Sequence, residues 1–326
     1  MKRRLMGQGL GVGLLAVSAP AIAQTKRPLR VAWVSVDQAG ASSPVFAAFR
    51  SGMADLGYLE GKTLVIDTWW GDGSAQRLVA QRGDILRSQP DVIVAQGGVA
   101  LGPMLDASVT QPLVFSMSGD PVLAKIVAAY GQPGGNRTGI TLFASELIGK
   151  RMALLKEIVP EMRSIAVIGN PLHPGAPREV EAARVAAARL GLTQTYFPSQ
   201  TQAELDSILA DTARRRFDAV LVLSDGFALN QARRIAEFSL REKIPVVAGW
   251  ATFALHGNLM AYGPEFEDVH RRLASYVDRI RKGAKPGDLP IEQPTKFELV
   301  INMKSAKALG ITIPQSLQLQ ANQVIQ

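Results

Sequence analysis

Residues 29–57 read LRVAWVSVDQAGASSPVFAAFRSGMADLG, and the reading of this segment sets the architecture. Residues 29–36 are an apolar run rich in Val and Trp, shorter than a helix and closed by a polar loop. Such a run predicts a strand buried on both faces. Ser43-Pro44 then pairs an N-capping hydroxyl with proline at the first helical position. Phe46, Phe49, Met53 and Leu56 follow at helical spacing, and Gly57 ends the helix. The segment is one strand–loop–helix unit.

The unit repeats along the chain. Residues 63–70 read as a second strand, and Ser74 caps a helix with Leu78, Val79, Ile85 and Leu86 on one side. Residues 91–95 form a third strand that leaves through Gln96-Gly97-Gly98. Residues 113–116 form a fourth; Asp120-Pro121 repeats the cap-then-proline pattern and predicts a helix over 121–130. The densest turn segment, GQPGGNRTG at 131–139, interrupts the period, which then restarts. The second series holds a helix ended near Pro160, a strand over 165–169 leading into Asn170, and a helix over 177–190. It continues with the capping box Thr201-x-x-Glu204, a strand over 219–223 leading into Ser224-Asp225, a helix over 228–243, and a strand over 245–248 that exits at Trp250. A further helix carries the stripe Phe266, Val269, Leu273, Val277 and Ile280, and residues 297–301 form a last strand. Trp33, Trp69 and Trp70, all within strands, read as core.

The alternation predicts an α/β chain of two Rossmann-like lobes with parallel sheets joined by a multi-strand hinge. The expected organisation is a leader at 1–23, an N-terminal lobe of 24–141 with 263–287, and a C-terminal lobe of 142–262 with 288–326. At 326 residues the chain exceeds what one core usually holds, and 47% hydrophobic with 20% charged residues excludes a disordered type.

Lys2, Arg3 and Arg4, the apolar run over 10–17 and Ala21-Ile22-Ala23 form a secretory signal pattern with cleavage after Ala23. The apolar run falls short of the roughly 20 residues of a membrane span. The chain has no cysteine, which leaves no disulfide and no lipid anchor at the mature start. The expectation is a free protein of the periplasm. The leader holds three of the 36 basic residues, so the formal charge of +8 becomes +5, from 33 basic against 28 acidic residues. These charges are scattered. The one tight basic run, Arg214-Arg215-Arg216, falls at a helix end, where cations suit the dipole. No basic stripe interleaves with aromatics, which argues against nucleic acid as a partner.

Ligands of open parallel sheets bind outside the carboxyl ends of the strands. That rule selects Asp37, Gln38, Gln96, Gly97, Gly98, Ser116, Ser118, Gly119, Asp120, Asn170, Ser224, Asp225 and Trp250. Several of these exits open onto helix N-termini, whose free N–H groups favour anions. Ser116, Ser118 and the N–H groups around Gly119 are placed to hold a carboxylate, Asp225 or Asp120 an ammonium or hydroxyl, and Trp250 to stack on a ligand. Each has a structural alternative: Asp120 and Ser224-Asp225 as helix caps, Asn170 as a turn former, Gly97-Gly98 as a tight turn, Trp250 as core. Catalytic signatures are absent. There is no G-x-S-x-G elbow, no P-loop and no G-x-G-x-x-G after the first strand. His173, His256 and His270 lack metal-ligand spacing and read as surface or loop residues, so neither a metal nor a cofactor is expected. Asn136-Arg137-Thr138 matches a glycosylation sequon by coincidence.

Four segments carry a resemblance: RVAWVSVDQ at 30–38, PGGNRTGIT at 133–141, IAVIGNP at 165–171, and the block LMAYGPEFEDVHRRLASYVDRIRKGAKPGDLPIEQPTKFELVINMKSAKALGITIP at 259–314. From about Arg30 onward the chain resembles the ABC transporter substrate-binding protein family of type I periplasmic binding proteins, whose better-known members bind aromatic amino acids such as tryptophan. The resemblance implies two lobes that close on a ligand, contacts from the strand exits named above, and delivery to a membrane permease with its ATPase. Two departures stand out: the chain has no cysteine for a lipid anchor, and Gln96-Gly97-Gly98 replaces a hydroxyl-rich Thr-Pro type of loop.

The leading expectation is therefore an extracytoplasmic, monomeric solute-binding protein. Its ligand would be a hydrophobic or aromatic amino acid or related carboxylate, delivered to an ABC importer. The alternatives are the same fold sensing a ligand for a membrane receptor, and a secreted hydrolase using Asp37 with Asp120 as an acid pair.

Overall fold

A computed structural model describes residues 27–38, 43–106, 108–142 and 144–326 of the chain. The expected leader lies outside the described residues. The first sheet is built from β1 (Leu29–Ser35), β2 (Leu64–Trp70), β3 (Val92–Gln96), β4 (Leu113–Met117) and β5 (Arg137–Thr141), in the order β2-β1-β3-β4-β5 with every pairing parallel. Its helices are α1 (Pro44–Asp55), α2 (Ala75–Arg87) and the short α3 (Gly98–Leu101). Ser43 caps α1 by accepting from the Phe46 N–H, with Pro44 in the first turn, as the opening segment predicts.

The second series starts with α4 (Ala144–Ile158), β6 (Ser164–Gly169), α5 (Ala176–Arg189), β7 (Thr193–Pro198), α6 (Gln202–Arg214) and β8 (Ala219–Val222). The chain then runs through α7 (Gly226–Asn230), α8 (Ala232–Glu242), β9 (Val246–Ala248), α9 (Ala251–Leu255), β10 (Met260–Pro264) and α10 (Phe266–Arg281). It ends in β11 (Phe297–Asn302), α11 (Met303–Leu309), α12 (Gln315–Gln320) and β12 (Gln323–Ile325). The second sheet has the order β12-β11-β10-β9-β8-β6-β7, parallel except where β11 returns against β10. The Thr201–Glu204 capping box forms in both directions at α6.

The chain passes between the sheets three times: from β5 into α4, from β10 into α10, and through residues 292–297 into β11. The third passage is tied to the first sheet, where Glu292 N–H donates to the Gly139 carbonyl and Thr141 N–H to that of Glu292. Helix α10 leaves the second sheet and lies along α1 of the first. The approach is close enough that a Cβ at Gly52 would sit 2.5 Å from the Arg271 carbonyl oxygen. Apolar layers cover both faces of both sheets, centred on Trp33 and Phe49, on Phe115 and Met104, and on Met152 and Leu155.

Several expectations are corrected. No helix follows Asp120: residues 121–128 form successive turns, with Lys125 at a φ of +57°. The helix expected over 228–243 is two, α7 and α8, meeting at Gln231. Trp69 and Trp70 are half-buried because β2 is a sheet edge, whereas Trp33 is core. The turn-rich segment conceals an edge strand, β5. His173 and His270 are buried rather than superficial.

Candidate functional site

The strand exits of the two sheets face each other, and their side chains interlock. Ser118, just past β4, is 3% exposed. Its hydroxyl lies 2.8 Å from His173 Nε2 and donates to the Ser224 carbonyl at 2.6 Å, both across the lobe boundary. The His173 Nδ1 accepts the Gly175 N–H at 3.0 Å, which places the ring proton on Nε2. The direction of the relay follows: His173 Nε2–H donates to Ser118 Oγ, and Ser118 O–H to the Ser224 carbonyl. Gly119 and Gly175 allow this contact, since a Cβ on Gly119 would lie 2.6 Å from the Gly175 Cα. Behind it, His270 Nδ1–H donates to the Phe266 carbonyl, so Ser116 O–H donates to His270 Nε2.

The remaining exits surround this contact. Asp37, 6% exposed, accepts from Ser43 on Oδ2, while its Oδ1 has no hydrogen-bond partner among the described residues. Burial raises its pKa, and the nearby Ser35, Ser43 and Asn230 side chains draw it back. Asp225 caps α7 through Oδ1 to the Ala228 N–H and leaves Oδ2 unpaired; burial lifts it to about 6. Ser224 Oγ and Trp250 Nε1 are also buried without hydrogen-bond partners among the described residues. Trp250 stacks on Phe266 with ring centroids 4.6 Å apart. Gln96 accepts from the Ser35 hydroxyl. Asn170 Oδ1 accepts the Leu172 N–H. Gly97 adopts a φ of +85° ahead of α3, and Gly98 packs against His173. Gln38 is exposed and stands apart from the buried set. Asp120 caps its own turn, accepting from Val122 and Leu123 N–H on Oδ1, and shares no partner with Asp37.

Three buried groups here escape sequence reasoning. Arg151, with no exposed surface, donates from Nε to the Tyr262 carbonyl and lies against Gly249. Burial lowers its pKa to about 10. Glu179 accepts the Ser224 N–H; burial lifts it to about 7, against the opposing pull of that N–H and of Arg151. His173 completes the set, held neutral by burial, which lowers it to about 4. The signal available in sequence was only the unusual position of Arg151 and Glu179 on the apolar faces of α4 and α5.

Two parallel α/β lobes, three crossings between them and a polar cleft of facing strand exits define the type I periplasmic binding proteins. Within that class, the chain belongs to the ABC transporter substrate binding protein family, whose sequence profile matches residues 36–325. It is similar to a conserved domain protein from Vibrio cholerae, with 27% identity, a TM-score of 0.84, and coverage of 91% of this chain and 100% of that one. The ABC domain of Streptococcus pneumonia in complex with L-Trp shares the fold at 23% identity and a TM-score of 0.83, over 91% of this chain and 100% of that one. Among curated proteins, the tyrosine-binding protein of Clostridioides difficile (strain R20291) is 22% identical over 263 residues, 81% of this chain and 75% of the relative. The chain is thus a substrate-binding protein of an ABC transporter family.

Proposed function

We propose that this protein captures a hydrophobic or aromatic amino acid, or a related carboxylate, between its lobes in the periplasm and delivers it to an ABC permease. The lobes in this reading are 24–141 with 263–287 and 142–262 with 288–326. One observation carries it: among the described residues, Asp37 Oδ1, Ser224 Oγ, Asp225 Oδ2 and Trp250 Nε1, all at strand exits, are buried with no hydrogen-bond partner. A buried polar atom left unpaired costs on the order of 1–3 kcal/mol, so a concentration of four at facing strand exits suits a site completed by a solute. The solute meets one lobe first; closure then brings Ser118 to His173 and Ser224 and buries it. Closure follows only if the solute binds the closed form more tightly than the open one.

The test is a thermal-shift screen over amino acids, aromatic acids, nucleosides and sugars, with native mass spectrometry of the purified protein. Solute at about 100 times its Kd adds roughly 2.7 kcal/mol of stability. A raised midpoint with an aromatic or hydrophobic amino acid supports the reading. No shift with any solute, and no co-purified ligand, refutes it. Co-purification with a permease rather than a receptor kinase separates transport from sensing.

A further inference from the structure

Beside the lobe contact runs a groove of about 610 Å³, reaching from the β1 exit past the second interlobe crossing to β11. Its charge is one-sided. Asp37, Glu265, Glu267 and Glu298 line it, and among the described residues its lining includes no Lys or Arg, although the chain as a whole is basic. Residues 39–42, which follow Asp37 in the chain, are uncharged in sequence. The carboxylates act on one another: burial raises the pKa of Glu298, and Glu265 and Glu267 raise it further. Lys296, whose charge couples to Glu265, is bonded to Asp268 instead. At the inner end, Asp37 Oδ1 is buried and unpaired, and Phe266 presents an aromatic wall backed by Trp250.

Resting on the solute-binding reading above, we infer that the solute is recognised through a cationic nitrogen, an ammonium held by Asp37 within this acidic groove, and that a free carboxylate on the solute is dispensable. An unpaired, buried carboxylate oxygen is the natural partner of an N–H donor, and three further carboxylates, none of them in a salt bridge among the described residues, favour positive charge and oppose a second anion. The apolar wall at Phe266 suits a ring or aliphatic body attached to that nitrogen, and a cation close to such a ring gains further attraction. The ligand class is therefore an organic amine, of which amino acids are one subset.

Matched triplets test this by calorimetry: tryptophan, tryptamine and 3-(indol-3-yl)propionate; phenylalanine, phenethylamine and 3-phenylpropionate; leucine, isopentylamine and 4-methylpentanoate. In the triplet that binds, the amine is expected to retain affinity within about tenfold of the amino acid, while the deaminated acid loses at least a hundredfold. Asp37→Asn is expected to weaken the amine at least tenfold. Glu267→Gln, at an exposed position, is expected to weaken it severalfold and to flatten its salt dependence. A deaminated acid that binds as well as the amino acid, with the amine silent, overturns the inference and leaves the solute-binding reading standing. Affinity for the amine unchanged in both variants also overturns it. Silence across all three triplets, with no co-purified solute, refutes the solute-binding reading and the inference with it.

Discussion

Ser118→Ala isolates the closing step from folding. The hydroxyl accepts from His173 and donates to the Ser224 carbonyl, and both partners belong to the opposite lobe. With the lobes apart, those partners can turn to water, so the substitution weighs on closure and hardly on unfolding. Two hydrogen bonds at a net 0.5–1.5 kcal/mol each amount to about 1–3 kcal/mol, a five- to 150-fold fall in the closing constant. Where binding and closure are linked, Kd rises by the same factor. The assay is calorimetry of wild type and variant with the amino acid that gives the largest thermal shift. Small-angle scattering with and without that solute, and urea unfolding of the free protein, complete it. The expected result is Kd raised at least fivefold, a population more open at subsaturating solute, and a free-state stability within about 1 kcal/mol of wild type. Kd within twofold of wild type refutes the relay as a closing contact. A large loss of free-state stability with unchanged Kd shows instead that the contact serves folding.

Ser43→Ala removes the cap of α1 and costs about 0.5–2 kcal/mol, read from the urea midpoint at unchanged m. Trp250→Phe keeps the stack on Phe266 and deletes the unpaired Nε1, so free-state stability holds while the solute-induced change in tryptophan fluorescence shrinks; an unchanged signal clears Trp250 of a role in the cleft. Burial raises Glu179 to about 7 and Asp225 to about 6, and lowers His173 and His270 to about 4. Between about pH 4.5 and 6 the folded chain thus holds two carboxyl protons the unfolded chain has lost and lacks two imidazole protons the unfolded chain has gained, and these contributions cancel. Glu179→Gln removes one carboxyl, so its stability relative to wild type falls on acidification through that window by about 1.4 kcal/mol per pH unit; urea midpoints that track wild type refute the assignment.

Local chemistry made the frame legible. The Ser43-Pro44 start, the Ser74 cap and the Thr201–Glu204 box are statements about adjacent residues, and all three form. Tertiary context decided the rest. Val122, Ile126 and Val127 carry helix-like spacing, yet the backbone there bonds to Pro121 and Pro133 carbonyls as turns, with Lys125 in a left-handed conformation. The turn-rich segment 131–139 masks the start of a strand: Thr138, Ile140 and Thr141 are β-branched, and β4 offers 137–141 a full parallel register. The candidate exits were readable as a set because strand ends share one edge. Their partners were not: Ser118 meets His173 across 55 residues and Ser116 meets His270 across 154, separations that no periodicity encodes.

That division between local and distant residues bears on how the lobes are balanced. The relay through Ser118 favours closure by about 1–3 kcal/mol, whereas Asp37, Ser224, Asp225 and Trp250 each bring an unpaired polar atom into the closed boundary at an opposing 1–3 kcal/mol or so. In the proposed mechanism the opposing contribution exceeds that of the relay until a solute pairs those atoms. Moving such an equilibrium from 1:99 to 99:1 takes about 5.5 kcal/mol of differential affinity. Pairing all four atoms at about 1–3 kcal/mol each supplies about 4–12 kcal/mol, a range that spans this requirement. In the proposed function, closure thus becomes a readout of how many of these polar atoms a solute satisfies at once.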